Sequence, residues 1–172
     1  MRSLLLSGLT LTALASVGCD AEVQRPDPPV LESVHALAGG CFTLDATGPK
    51  GEDARALAIG VAGLSYAFAG LGPEDGARFF LKPSDLGTFL FYDHEGRYLV
   101  GDEGRIGRAE RLQSDVLLVD DTFVSGAEWE VTASPKDAAR LLLKNRRTGH
   151  YLTHEGALTP SEGEAAIVTL YP

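Results

Sequence analysis

The sequence predicts an all-β domain of three repeated units, on three observations. From about residue 40 to Pro172 the chain is broken into short apolar runs by Gly, Pro, Asp and Asn. No stretch there carries the i, i+3, i+4, i+7 stripe of an amphipathic helix. Segments about 50 residues apart also match one another, the mark of a repeat architecture. The composition allows one packed domain: 172 residues, 44% hydrophobic and 23% charged. Asp+Glu 24 against Lys+Arg 15 leaves a net charge of -9, a field that repels phosphate backbones and anionic headgroups, so nucleic acid is not an expected partner. Two cysteines are too few for a disulfide scaffold or a Cys₄ zinc site.

In chain order, Met1 and Arg2 form a short positive region, and residues 4–15 are apolar and uncharged. That length suits an export signal and falls short of the ~20 residues needed to span a bilayer. Ser16-Val17-Gly18-Cys19 resembles the bacterial lipoprotein signal, in which small residues precede a cysteine that becomes the lipidated N-terminus. The resemblance implies a signal peptide over 1–18, lipidation at Cys19 and a membrane anchor. Cutting after Ala13-Leu14-Ala15 instead would leave Cys19 unmodified and open to a bridge with Cys41 in an oxidising periplasm. Otherwise Cys41 is expected as a small buried hydrophobe. Residues 19–39 are expected as a tether, charged and proline-rich from Asp20 to Pro29, about ten extended residues reaching ~30 Å. Val30 to Ala38 is expected as an opening strand or a short helical turn.

The domain itself is expected over 40–172. Its candidate strands are 41–45, 56–61, 65–69, 77–82, 88–92, 97–100, 115–120, 128–132, 140–144, 150–153 and 166–171. Gly76 to Ser84 aligns without a gap with Gly126 to Ser134, placing Phe79 opposite Trp129. Leu90 to Leu99 aligns with Leu142 to Leu152, with one residue inserted before the glycine of the turn. A degraded copy occupies the first third, Phe42 to Ala46 followed by Arg55 to Leu57, and Ala165 to Leu170 stands in the last third where Phe79 and Trp129 stood earlier. Three units of about 40–50 residues emerge.

Gly96-Arg97-Tyr98-Leu99, Gly149-His150-Tyr151-Leu152 and the strand of Trp129 resemble the repeated hairpins of the β-trefoil, in particular its fascin-like branch. The resemblance implies six hairpins that close and cap a barrel, leaving no sheet edge; a β-sandwich is the alternative. The expected core is Phe79, Leu81, Trp129, Val131, Leu141, Leu143, Leu152, Ile167 and Leu170. Phe89, Phe91 and Tyr98 are expected on one side of the wall, with Leu90 and Leu99 on the other.

Catalytic signatures are weak. His94-Glu95-Gly96 and His154-Glu155-Gly156 lack the second histidine of a zincin helix, since Tyr98 and Leu158 stand four residues on. His94 beside Asp93 would need an activated nucleophile, yet there is no G-x-S-x-G elbow, and Ser84 and Ser114 lack its strained turn. The pairs Asp102-Glu103 and Asp120-Asp121 fit neither a calcium loop nor a glycosidase couple. Ala127-Glu128-Trp129 replaces the Q-x-W of ricin-type lectins, so sugar binding in that manner is not implied and Trp129 belongs to the core.

What remains are possible ligand contacts in polar turns: His94, Arg97, the basic tip Arg146 and Arg147, and His150 and His154, expected to share an outward face. No catalytic residue, metal or cofactor is expected. The expectation is a membrane-anchored, non-enzymatic binding or scaffold module of the bacterial cell envelope, facing periplasm or cell surface, with an envelope protein or glycan as partner. The module is also similar to the amino-terminal portion of certain dipeptidase-like envelope hydrolases of gliding soil bacteria, which implies an accessory role as the alternative. A small stand-alone hydrolase using His94, His150 and nearby acids is the third reading.

Overall fold

The computed structural model describes residues 34–70, 72–109, 126–135 and 137–172. The expected signal peptide, Cys19, the tether as far as residue 33, the candidate strand 115–120, Ser114 and Asp120-Asp121 lie outside the described residues. A 3-10 turn, Val34–Leu37, opens the domain. Leu37 within it is fully buried and Val34 packs on the core, so packing starts ahead of residue 40.

Twelve strands follow among the described residues, four to a unit. The first unit holds β1 (Cys41–Thr47), β2 (Arg55–Ile59), β3 (Tyr66–Ala69) and β4 (Arg78–Asp85). The second holds β5 (Thr88–Tyr92), β6 (Tyr98–Asp102), β7 (Arg105–Ala109) and β8 (Glu128–Ser134). The third holds β9 (Asp137–Asn145), β10 (Tyr151–Leu152), β11 (Leu158–Thr159) and β12 (Ile167–Tyr171). The first and last strands of the units form a closed antiparallel ring: β1 pairs β4, β4 pairs β5, β5 pairs β8, β8 pairs β9, β9 pairs β12 and β12 returns to β1. The inner pairs β2–β3, β6–β7 and β10–β11 form three hairpins. This is the β-trefoil, and the closed ring removes the sandwich alternative and the barrel's free edges together.

The repeat is visible in the packing. Phe79 of β4, Trp129 of β8 and Val168 of β12 are all fully buried at the corresponding strand of each unit. The Trp129 indole, which would strand its N–H in an apolar barrel, donates to the Leu99 carbonyl at 2.9 Å. Phe79 meets Tyr66 edge-to-face at 5.1 Å and Phe91 at 6.4 Å between centroids.

Several expectations are corrected. Ile167 is half-buried, and Val168 fills the core in its place beside the expected Leu170, because β12 alternates from Val168. Phe89 and Phe91 share the main core with Leu99, whereas Tyr98 joins Leu90 and Val100 in a second cluster. Tyr92 pairs with Tyr98 across the hairpin, so residues equidistant from that pair share a face, 91 with 99 and 90 with 100. Strand β2 stops at Ile59, and Val61 is a wholly exposed turn residue. Cys41 is half-buried and disulfide-bonded, not a packed thiol. Strands β7 and β11 were absent from the expectation: Arg105-Ile106-Gly107-Arg108-Ala109 carries two cations and a glycine, and β11 is two residues long.

Candidate functional site

The six nominated contacts divide among three turns: residues 93–97 between β5 and β6, 146–150 between β9 and β10, and 153–157 between β10 and β11. Each arginine has partners within the chain. Arg97 lies 3.5 Å from the Glu95 carboxylate and donates to the Gly63 carbonyl at 3.3 Å. Arg146 bridges Glu128 at 3.2 Å and Asp85 at 3.3 Å, and Arg147 reaches Asp102 at 3.0 Å. His94 is exposed, with Nε2 3.8 Å from Glu95. His150 and His154 do not share a strand face: β10 covers only Tyr151 and Leu152, so alternation does not extend to either histidine. The Glu52 carboxyl of the β1–β2 loop is held below the usual carboxylate range by backbone hydrogen bonds, its own and that of Lys50, with a smaller pull from His154.

Asp93, which sequence reasoning set beside His94, is turned inward. Its Oδ1 accepts from the backbone N–H groups of Glu95 at 2.9 Å and Arg97 at 3.0 Å, and its Oδ2 from the Tyr66 hydroxyl at 2.8 Å and Arg108 Nε at 2.7 Å. The Arg108 and Asp93 side chains are 1% and 0% exposed, a buried ion pair whose lone pairs and N–H groups are satisfied. Arg108 also reaches Glu95 at 3.1 Å, donates to the Gly63 carbonyl and lies 5.6 Å from the centroid of the Tyr66 ring. Burial pushes the Asp93 carboxyl up, but the bonds from Arg97, Tyr66 and Arg108 outweigh it and hold it below its usual value. Burial, then the Asp93 carboxylate, pushes the Tyr66 phenol well above its ordinary range. Burial likewise opposes the charge on Arg108, and Asp93 more than offsets it, so its acidity is further suppressed. The cluster joins Gly63 and Tyr66 of the first unit to the second. It leaves His94 without that carboxylate as a catalytic partner.

An open concavity lies elsewhere, on the outer wall of the third unit. Leu142 of β9, Ala165 and Ile167 of β12 form an apolar floor between Pro49 and Pro135. Ser134, Glu162 and Gly163 supply its polar rim, around about 250 Å³. A second cavity of about 190 Å³ continues past Ile167 and Ser134 to Arg140, Thr47 and Gly51. The Tyr151 hydroxyl donates to Glu162 Oε2 at 3.3 Å, and the half-buried Tyr151 ring has Lys144 Nζ 5.4 Å from its centroid. Thr159, next to Tyr151 in register, donates to Glu164 at 2.7 Å. None of the nominated arginines or histidines lines either cavity. The signal that could have found this wall is the even-numbered row Arg140, Leu142 and Lys144, outward-facing once Leu141 and Leu143 are placed inside.

Among the described residues no three His, Cys, Asp or Glu side chains are placed to hold a metal ion, and no helix is long and apolar enough to cross a membrane. No family model matches the chain, and no curated protein matches it in sequence. Solved structures do. SeviL bound to asialo-GM1 saccharide superposes with a TM-score of 0.57 at 13% identity, covering 76% of this chain and 95% of that one. The GH43 β-1,3-galactosidase BT0265 superposes at 0.55 and 11% identity over 78% of this chain, which spans only 27% of that one. The designed three-fold symmetric protein ThreeFoil gives 0.49 at 16% identity, over 77% of this chain and 98% of that one. At such identities the first two likenesses establish the fold and nothing finer.

Proposed function

We propose that this chain is an exported, non-enzymatic glycan-binding module of the bacterial cell envelope. The observation that carries the reading is the groove between Pro49 and Pro135, an apolar floor with a carboxylate, a hydroxyl and a half-exposed tyrosine at its margin. Mostly apolar concavities with a few placed polar groups are how proteins hold small ligands. The barrel interior is filled by its own side chains, so the outer wall and turns are what the fold has to offer. The trefoil neighbour carrying a saccharide supports the same reading. His94, Arg97, Arg146, Arg147, His150 and His154 are proposed as turn residues that contact a larger glycan or an envelope protein beyond the groove. The test is calorimetric titration of the full chain with a panel of neutral and acidic oligosaccharides. Saturable binding that is lost when the groove is filled by Ile167→Trp supports the reading, and no heat with any member overturns it.

The envelope setting rests on the amino-terminal sequence. Ser16-Val17-Gly18-Cys19 supports a lipid anchor, which would hold the module at a membrane without spanning it. The disulfide at Cys41 fits an oxidising compartment. Within one chain of two cysteines, a bridge between them and an acyl thioether on Cys19 exclude each other. Intact mass after membrane extraction decides: an acyl increment that disappears in Cys19→Ser supports the anchor, and the mass of an oxidised, unacylated chain removes it while leaving export in place.

A second reading is an accessory module serving a separate hydrolase. The galactosidase favours it, because the chain spans about a quarter of that enzyme's chain. Co-purification with a glycosidase or peptidase from the same envelope supports this role; recovery of the chain alone after cross-linking counts against it.

A further inference from the structure

We infer that the groove on the outer wall of the third unit takes a neutral pyranose bearing an acetamido group and turns away uronic and sialic acids. This rests on the glycan-binding reading and narrows it to one site and one class of sugar.

The first argument is the mismatch between an ordinary hexose and the groove floor. A hexose presents hydroxyls around its whole rim, and Leu142, Ala165 and Ile167 would strand whichever of them faced inward without a hydrogen bond. An acetamido group has an apolar methyl to set on that floor, between the prolines, and an amide N–H two bonds further out, past the carbonyl carbon. Glu162 stands at that rim as an acceptor. Its carboxylate is steadied by the Tyr151 hydroxyl at 3.3 Å, and a carboxylate accepting an amide N–H makes a charge-assisted bond. The cavity of about 250 Å³ joins the neighbouring one of about 190 Å³ through Pro49, Ser134 and Ile167, so one ring can be seated with a second following.

The second argument is charge. A sugar carboxylate entering here meets Glu162, with Glu164 two residues away on the same exposed turn, within a chain of net charge -9. Like charges brought together as water leaves are costly, and rejection of this kind is as much a part of selectivity as attraction. On β9, Arg140, which lines the far cavity, and Lys144, beside the Tyr151 ring, oppose this, and they are the point at which the inference is exposed.

The test titrates the full chain with chitotriose, cellotriose and a hyaluronan tetrasaccharide. Cellotriose lacks the acetamido group, whereas hyaluronan keeps it and adds carboxylates. Chitotriose is expected to bind at least about tenfold more tightly than either, the lower end of what one apolar group seated in a fitted pocket is worth. Glu162→Gln, at an exposed position, should weaken chitotriose several-fold with an unchanged melting temperature, and Ile167→Trp should abolish binding. Equal affinity for cellotriose overturns the acetamido assignment, equal affinity for hyaluronan overturns the charge selection, and chitotriose binding indifferent to both variants overturns the site. Each of these leaves the broader glycan reading standing, whereas silence with every sugar in the wider panel removes the two together.

Discussion

Asp93 and Asn145 occupy the same place in successive units, at the end of the barrel strand that leads into each hairpin, and both are buried. They do different chemistry there. Asp93 is surrounded by donors: two backbone N–H groups, the Tyr66 hydroxyl and Arg108. Asn145 has donors on one side and acceptors on the other, taking Thr148 N–H at 3.1 Å on Oδ1 and giving Nδ2 to the carbonyls of Gly126 at 2.7 Å and Glu128 at 3.4 Å. A carboxylate only accepts, whereas an amide accepts and donates, so the surroundings dictate which of the two residues can be buried there. The glycines around Asn145 belong to the same solution. A Cβ on Gly101 would lie 2.7 Å from the Asn145 amide, and Gly126, at φ +72, has no room for one beside the Gly101 carbonyl. One repeat position therefore carries two joints: a charged one between the first and second units, and a neutral, closely packed one between the second and third.

The charged joint should be the more fragile when one partner is removed. Arg108→Met leaves the Asp93 carboxylate buried without its cation, at an expected cost of about 3–5 kcal/mol in urea unfolding under non-reducing conditions. A loss under about 1 kcal/mol would mean that water reaches Asp93 and the joint is not buried in solution. The neutral joint breaks by the opposite substitution. Asn145→Asp turns the carboxylate toward the Gly126 and Glu128 carbonyls and removes both donors, at an expected cost of about 3 kcal/mol.

Tyr66→Phe sharpens the comparison, since it removes one donor from the charged joint and leaves the neutral one untouched. The expected loss is about 2 kcal/mol at neutral pH, the scale of a hydrogen bond to a charged group. Its pH dependence has a definite sign. The Tyr66 phenol is raised in the folded state, so its contribution is complete below the unfolded value near ~10 and lost as pH rises through the folded one. The Asp93 carboxyl is lowered, so its contribution is complete above the unfolded value near ~3.9 and lost as pH falls through the folded one. Tyr66→Phe should therefore flatten the alkaline limb of a stability profile above about pH 10. It should also move the acid limb to higher pH, because Asp93 has lost a bond that favoured its ionised form. An acid limb identical to that of the parent chain would separate the Tyr66 hydroxyl from the Asp93 charge.

How legible all this was depends on range in sequence. The barrel strands carry strict alternation and matched partners, so Phe79 with Trp129, and Leu90 to Leu99 with Leu142 to Leu152, could be read directly. Reading failed where local pattern and tertiary partner part company. Asp93 looks like a turn acid because its neighbours Glu95, Gly96 and Arg97 form the turn; nothing nearby announces Tyr66, 27 residues earlier, or Arg108, 15 later. Arg108 lay in a strand that composition argued against. The outer groove was hidden for a related reason. Leu142 reads as one of a run of three leucines, Leu141 to Leu143, and only the closed ring shows that the middle one faces outward beneath Ala165 and Pro135. The arginines among the nominated turn residues stood out for their charge, and charge at a turn is first used by the chain itself, as Arg97, Arg146 and Arg147 show.

Arg147 gives the smallest effect and the sharpest limit on the comparison. It pairs with Asp102 at 3.0 Å, joining the third unit to the second as Arg108 joins the second to the first, yet the two side chains are 37% and 52% exposed. Water and salt screen such a pair, and holding two long side chains in one geometry offsets part of what remains. Arg147→Ala is expected to cost below about 1 kcal/mol, and to cost nothing measurable in molar salt. The backbone already makes this joint: Leu158 N–H bonds the Gly104 carbonyl at 2.7 Å and Ile106 N–H that of Gly156 at 2.9 Å. A loss from Arg147→Ala as large as that from Arg108→Met would show that the exposed bridge, and not the Asn145 amide with its glycines, holds the third unit against the second.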